Sequence, residues 1–184
     1  MEKILKNGLL FKLLDQVDLE LAQAAQIGRC QYCGSKLHRG DYPRKPRGGP
    51  DWTTRYSFDC SQCRRRNTPP SVRFLGRRVY IGVVVVLVTA MTHGVNPRRV
   101  EVLRRELNID VRTLKRWREW WLTTFVEGPF WKAARARFMP QLQASLLPLS
   151  LVDTFDAGGC AGMVKLLQFL MPITVGSWKA GQVM

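Results

Sequence analysis

Apolar positions along the chain follow helical spacing almost everywhere, with one segment standing apart. Leu5, Leu9 and Leu13 recur every fourth residue, and a second apolar stretch runs from Leu19 to Ile27, so residues 1–28 read as an N-terminal helical arm. The densest apolar run, Val79 to Met91, has no polar face. Arg78–Thr92 is expected to be a largely buried helix closed by Gly94. A buried strand competes, because Val83-Val84-Val85-Val86 is β-branched and periodicity cannot decide an all-apolar run. Asn96-Pro97 then offers an N-cap and a proline at the first helical position. The helix it opens carries Val100, Leu103 and Leu107 on one face. Asn108-Ile109-Asp110 breaks that pattern, and Asp110 suits the N-cap of a helix from Val111 to about Phe125, striped by Leu114, Trp117, Trp121 and Phe125. Beyond Gly128-Pro129, Phe130–Phe138 reads as a short helix with Trp131, Ala134 and Phe138 on one side, ended by Pro140. Two further apolar segments, Pro148–Phe155 and Gly162–Met171, flank a loop of glycines.

Residues 29–77 depart from this pattern. They contain a Pro/Gly-rich tip, YPRKPRGGP, and a strand-like return, Thr54-Arg55-Tyr56-Ser57-Phe58. The expected fold class is mainly α with a small β zinc ribbon and a helix-turn-helix DNA-binding architecture. The divisions are an arm (1–28), a four-cysteine ribbon (29–77), a helix-turn-helix (78–126) and a C-terminal helical segment (127–184).

Charge sharpens this division. The chain of 184 residues carries 29 Lys plus Arg against 14 Asp plus Glu, net +15. Residues 29–79 hold +10 of that excess and residues 96–140 hold +6, while the ends are near neutral. No acidic residue lies between Cys60 and Val100. So concentrated a charge points to a polyanionic partner gripped by the centre, with the Leu-rich ends left for packing or protein contact.

The cysteines supply the most specific chemistry. Cys30-Gln-Tyr-Cys33-Gly34 and Cys60-Ser-Gln-Cys63 form two C-x-x-C knuckles. Two intervening residues let a tight turn aim both thiolates at one ion, and two such turns make a closed four-thiolate zinc site. One structural Zn2+ on Cys30, Cys33, Cys60 and Cys63 is therefore expected. Disulfides and a thioredoxin-like redox pair are the alternatives, the first disfavoured in a reducing compartment and the second by the lack of any βαβ pattern. Cys160 has no partner in the pattern, and a small buried residue is its default role.

Candidate contacts to nucleic acid follow from position. Arg64, Arg65 and Arg66 leave the ribbon directly after its last ligand, followed by Arg73, Arg77 and Arg78; all suit phosphates. Arg98 and Arg99 lie on the helix opened by Pro97. Arg112, Thr113, Lys115, Arg116 and Arg118 lie opposite the apolar stripe of the 111–125 helix. Arg112 and Arg116, one turn apart, suit base edges, and Lys115 and Arg118 suit phosphates. A basic amphipathic helix that reads nothing remains the plain alternative. Trp117, Trp120, Trp121 and Trp131 are expected as core anchors rather than base-stacking platforms.

Nothing in the chain points to catalysis. His38 and His93 are far apart and outside any metal or nucleophile motif, no phosphate-binding glycine loop occurs, and the acids are scattered rather than clustered for two-metal chemistry. Several of them, Asp18, Asp110 and Glu101, suit caps or helix-surface charges.

The order Cys30-x-x-Cys33, Cys60-x-x-Cys63-Arg64-Arg65, an apolar helix and then Val100–Trp121 resembles the zinc-ribbon and helix-turn-helix front end of bacterial insertion-sequence transposases and transposon-associated DNA-binding proteins. The resemblance covers about residues 29–125. It implies site-specific binding to double-stranded DNA, at element ends or a promoter. The acidic catalytic domain of a full transposase is missing, which implies an accessory or regulatory factor of a mobile element rather than a nuclease. An RNA-binding module, or a scaffolding subunit of a larger nucleoprotein complex docked through its N- and C-terminal helical segments, remains open beside it. The N-terminus carries charges through its apolar stretch and makes a poor signal peptide. The apolar run of about thirteen residues is short for a bilayer. No membrane partner and a cytoplasmic, nucleoid-associated location are expected.

Overall fold

The computed structural model describes residues 2–44, 53–75, 82–91, 98, 101, 102, 105, 107 and 109–174. Most of these are helical, joined to a small antiparallel ribbon. A single turn, α1 (Glu2–Leu5), leads into α2 (Gly8–Ile27), whose first turn is capped by Asn7: its side chain accepts from the Leu9 and Leu10 N–H groups. The buried face of α2 is Leu10, Leu14, Asp18 and Ala22. The stripe expected from Leu9 and Leu13 is instead on the outside, 71% and 51% exposed. The inward face had been disguised by its third member, a carboxylate. Far from hanging free, α2 is packed along the molecule, and its later residues Leu19, Ala22 and Ala25 lie against the ribbon core.

The ribbon pairs β1 (Leu37–Arg39) with β4 (Phe58–Cys60) and β4 with β5 (Arg66–Asn67), all antiparallel. A separate hairpin pairs β2 (Tyr42–Arg44) with β3 (Thr53–Arg55). The single strand expected over residues 54–58 is therefore two strands broken at Tyr56-Ser57. There the Ser57 N–H leaves the ladder for the Asp41 carboxylate, 2.9 Å away, while its carbonyl accepts from Gly40 N–H. The break lets the chain change sheets. Of the expected Pro/Gly-rich tip, Tyr42-Pro43-Arg44 is strand β2, and the remainder, residues 45–50, lies outside the described residues.

The helical body centres on α3 (Gly82–Met91), a helix rather than the competing strand. Val83 through Ala90 are all buried, which explains why the run shows no polar face. Around it pack α4 (Val111–Trp120), α6 (Leu149–Thr154) and α7 (Cys160–Leu170). Asp110 caps α4 as expected, accepting the Arg112 N–H at 2.7 Å. The helix continues as a wider π turn over Trp121–Phe125, and Leu114, Trp117, Trp121 and Phe125 are all buried. α5 (Pro129–Ala134) adds Phe130 and Trp131 to an aromatic cluster that includes Phe125, Phe138, Phe155 and Phe169. In α6 and α7 the apolar positions Leu151, Val152, Met163, Leu166, Leu167 and Leu170 are consumed by this core. Gly162 is required there: a Cβ would sit 2.2 Å from the Phe155 and Asp156 carbonyl oxygens.

Ribbon and body are tied by a buried ionic cluster. Asp18, 1% exposed, accepts from Ser71 Oγ (2.6 Å), Val72 N–H (2.7 Å) and Arg73 Nε (2.7 Å). Arg73 also pairs with Asp15 at 2.7 Å and donates to the Thr54 carbonyl at 2.6 Å. Asp18 is thus no surface charge, and the phosphate role expected of Arg73 is corrected: its guanidinium is turned inward, held by two carboxylates. Arg77, Arg78, Arg99 and the Asn96-Pro97 start lie outside the described residues, so the first helix of the expected helix-turn-helix is represented only by isolated positions. No described helix is long and apolar enough to cross a membrane.

Candidate metal centre and basic surface

The four knuckle cysteines meet where the end of α2, β1 and β4 converge. Their sulfurs all lie within 4.8 Å of one another. Cys30 and Cys63 Sγ are 3.7 Å apart and Cys33 and Cys60 Sγ 3.4 Å, well beyond a disulfide bond. Zinc–sulfur bonds of about 2.3 Å in a tetrahedron place sulfurs roughly 3.8 Å apart, so the cluster can hold one zinc ion. The two knuckles share one backbone pattern: Cys30 N–H donates to the Ser35 carbonyl and Cys60 N–H to the Arg65 carbonyl, each five residues on.

Backbone and side-chain donors already favour thiolates here. Gln62 and Cys63 N–H both point at Cys60 Sγ (3.4 Å each), and Asn67 Nδ2 lies 3.6 Å from Cys30 Sγ. Burial pushes the Cys30 thiol up, but the Tyr32 and Cys33 N–H groups and Asn67 outweigh it, so the net shift is downward. Hydrogen bonds from Ser35, side chain and backbone, draw Cys33 down to about 6. At Cys63 the Arg65 N–H favours the thiolate, yet burial and the three neighbouring sulfurs push the thiol up to about 12. Four crowded thiols must divide this way, since each ionisation opposes the next. A divalent cation held by Cys30, Cys33, Cys60 and Cys63 would remove the conflict and supply a structural cross-link.

Around this centre the basic residues sort by environment. Arg64 is exposed, and Arg65 is exposed with its guanidinium 5.0 Å over the Tyr32 ring. Arg66 is partly engaged, 3.5 Å from Asp59 and 5.3 Å over Tyr42. Arg98 is exposed. On α4, Arg112, Lys115, Arg116 and Arg118 are exposed and Thr113 half-buried, its hydroxyl accepting from Arg116 at 3.1 Å. Trp117, Trp121 and Trp131 are buried core anchors, with Trp120 half-buried beside them.

Sequence reasoning missed Asn67 and Ser35 as supports of the sulfurs; only their closeness to the cysteines could have hinted at them. It also missed Arg55, which is buried and donates to the Pro69 carbonyl at 2.7 Å. Burial lowers the Arg55 pKa while Asp18 opposes that shift. Cys160 is half-buried and accepts from Asn7 Nδ2 at 3.2 Å. Compared with protein-family models, curated proteins and solved structures, the chain matches none.

Proposed function

We propose that the protein is a non-catalytic, zinc-organised DNA-binding protein that serves as an accessory or regulatory factor of a mobile genetic element. The observation that carries this reading is the basic exit of the ribbon. Arg64, Arg65 and Arg66 follow the last sulfur directly, so a metal-fixed platform presents them, and Arg64 and Arg65 face solvent. Phosphates take such cations because each contact releases condensed counterions. The exposed face of α4, with Arg112, Lys115, Arg116 and Arg118, is the reading surface in this proposal, braced from behind by Leu114, Trp117 and Trp121. The mobile-element role rests on the order of the two motifs.

The test is equilibrium binding of the zinc-loaded protein to duplex DNA across a salt series. The expected slope of log affinity against log salt is several units. A flat response, or structured RNA of equal length outcompeting the duplex at fixed salt, overturns the DNA reading. The RNA reading draws on one observation of its own, the exposed Tyr32 ring stacked under Arg65, which suits an unpaired base.

A further inference from the structure

The two knuckles share the hydrogen bond from the first cysteine's N–H to the carbonyl five residues on, but differ at the residue that follows the second cysteine. After Cys33 the chain turns through Gly34 at φ +71°, a left-handed conformation that glycine adopts freely. After Cys63 the equivalent residue is Arg64, at φ +57°. A second arginine, Arg29, sits at φ +61° between the end of α2 and Cys30, at a helix terminus where glycine is also preferred. Left-handed backbone is unfavourable for a residue with a Cβ, so each arginine holds a place where glycine would be less strained. Such outliers persist where the surrounding structure over-determines them, and they cluster at functional sites.

Among the described residues, neither guanidinium has a partner inside the fold. Both residues are exposed, and neither side chain makes a hydrogen bond or ion pair among the described residues. Each is one residue from a cysteine of the Cys30–Cys63 pair, whose sulfurs are 3.7 Å apart, so both chain positions lie next to the metal centre. Arg65 adds a third cation beside them, steadied by Tyr32.

We infer that Arg29 and Arg64, with Arg65, form a phosphate-binding clamp on the knuckle face of the ribbon. The clamp takes the nucleic-acid backbone, and the left-handed arginines are retained for that contact against their conformational cost. This rests on the DNA-binding proposal and extends it to Arg29, which lies outside the Arg64–Arg66 run. It also sets the ribbon's role as sequence-independent, because phosphate carries no base information.

The experiment uses the full zinc-loaded chain and the double variant Arg29→Gly/Arg64→Gly. It measures zinc per chain, melting temperature, and affinity for a random-sequence duplex over a salt series. The expected result is unchanged zinc content, a melting temperature equal to or above the parent's, affinity lowered about tenfold, and a salt slope reduced by about two units, one per lost phosphate contact. Arg29→Asn/Arg64→Asn, which keeps a side chain that tolerates the left-handed region, should lose the same affinity. Arg64→Lys should keep most of it. Arg105→Gln/Lys132→Gln removes equal charge from the body and should change the slope less.

If the parent protein shows no steep salt dependence, the DNA reading itself fails. If the parent binds and the double variant binds with the same affinity and slope, the clamp is wrong while the DNA reading stands. If the variants lose zinc or melt lower, the arginines serve the thiolate charge or the end of α2, and the inference is likewise overturned.

Discussion

The ribbon buries Ala22, Cys30, Leu37, Tyr56, Phe58 and Cys60; two of these are metal ligands and one is lent by α2. The body buries Trp121, Phe125, Trp131, the whole valine run of α3, and Leu151, Leu166, Leu167 and Leu170 of α6 and α7. A segment the size of the ribbon removes too little apolar surface to offset its chain entropy, and units that small depend on metals or disulfides. The body has no such need. The difference teaches where each part of the proposed function resides. A bound metal would fix the cation-bearing ribbon, which has almost no core of its own, and apolar packing fixes α4 with its basic face outward.

Cys60→Ser separates the two regions most sharply. It should abolish zinc binding, withdrawing metal-linked folding energy on the order of 10 kcal/mol from the ribbon, while α3 and α7 stay protected. Metal analysis and residue-resolved hydrogen exchange check both halves of that statement. The converse is Trp121→Ala, which should cost the body about 3–5 kcal/mol in denaturant unfolding and leave zinc stoichiometry intact. Asp18→Ala strikes the tie between them. It removes one of the two carboxylates that hold the Arg73 guanidinium, 7% exposed, and leaves the Ser71 hydroxyl and the Val72 N–H without their acceptor. The variant should be destabilised by roughly 3–5 kcal/mol. Because Asp18 and Arg73 join α2 to the exit of the ribbon, its signature is loss of protection on both sides.

How much of this was legible in the chain follows from the range of the interactions. The knuckle cysteines, the Leu114–Phe125 stripe and the Asp110 cap are written in spacings of a few residues, and each forms as expected. Asp18 and Arg73 are 55 positions apart, and each alone looks like a solvated charge; only the fold shows that they satisfy one another. The same pair hid the inward face of α2, since a carboxylate sat where an apolar residue would have marked it, and Leu9 and Leu13 marked the wrong side. The break at Tyr56-Ser57 depends on Asp41 reaching across, which no local preference encodes. The helix opened by Pro97 lies mostly outside the described residues, and with it the pairing that would complete a helix-turn-helix.

Smaller effects sharpen the functional side of the comparison. Arg116→Ala should cost about 1–3 kcal/mol on the preferred duplex and little on random DNA. Arg65→Ala should weaken both by a similar factor. Equal losses on both duplexes for both variants would mean that α4 does not read sequence. The metal centre also carries a proton signature. A thiol must shed its proton to bind zinc, so acid competes with the metal and affinity should fall as pH falls. Cys33, drawn down to about 6, is already ionised at pH 7.5, whereas Cys63, pushed up to about 12, is not. Zinc binding at pH 7.5 should therefore release fewer than four protons per ion, measurable by calorimetry in buffers of different ionisation enthalpy.

The division between a metal-held ribbon and a self-sufficient body is tested most directly by residue-resolved hydrogen exchange on zinc-loaded protein before and after a chelator. Protection should collapse over residues 30–44 and 53–67 and fray along the ribbon side of α2, while α3, α4 and α7 keep theirs. Protection unchanged over residues 30–44 and 53–67 after the metal is gone, or lost uniformly from all the described elements, would contradict that division.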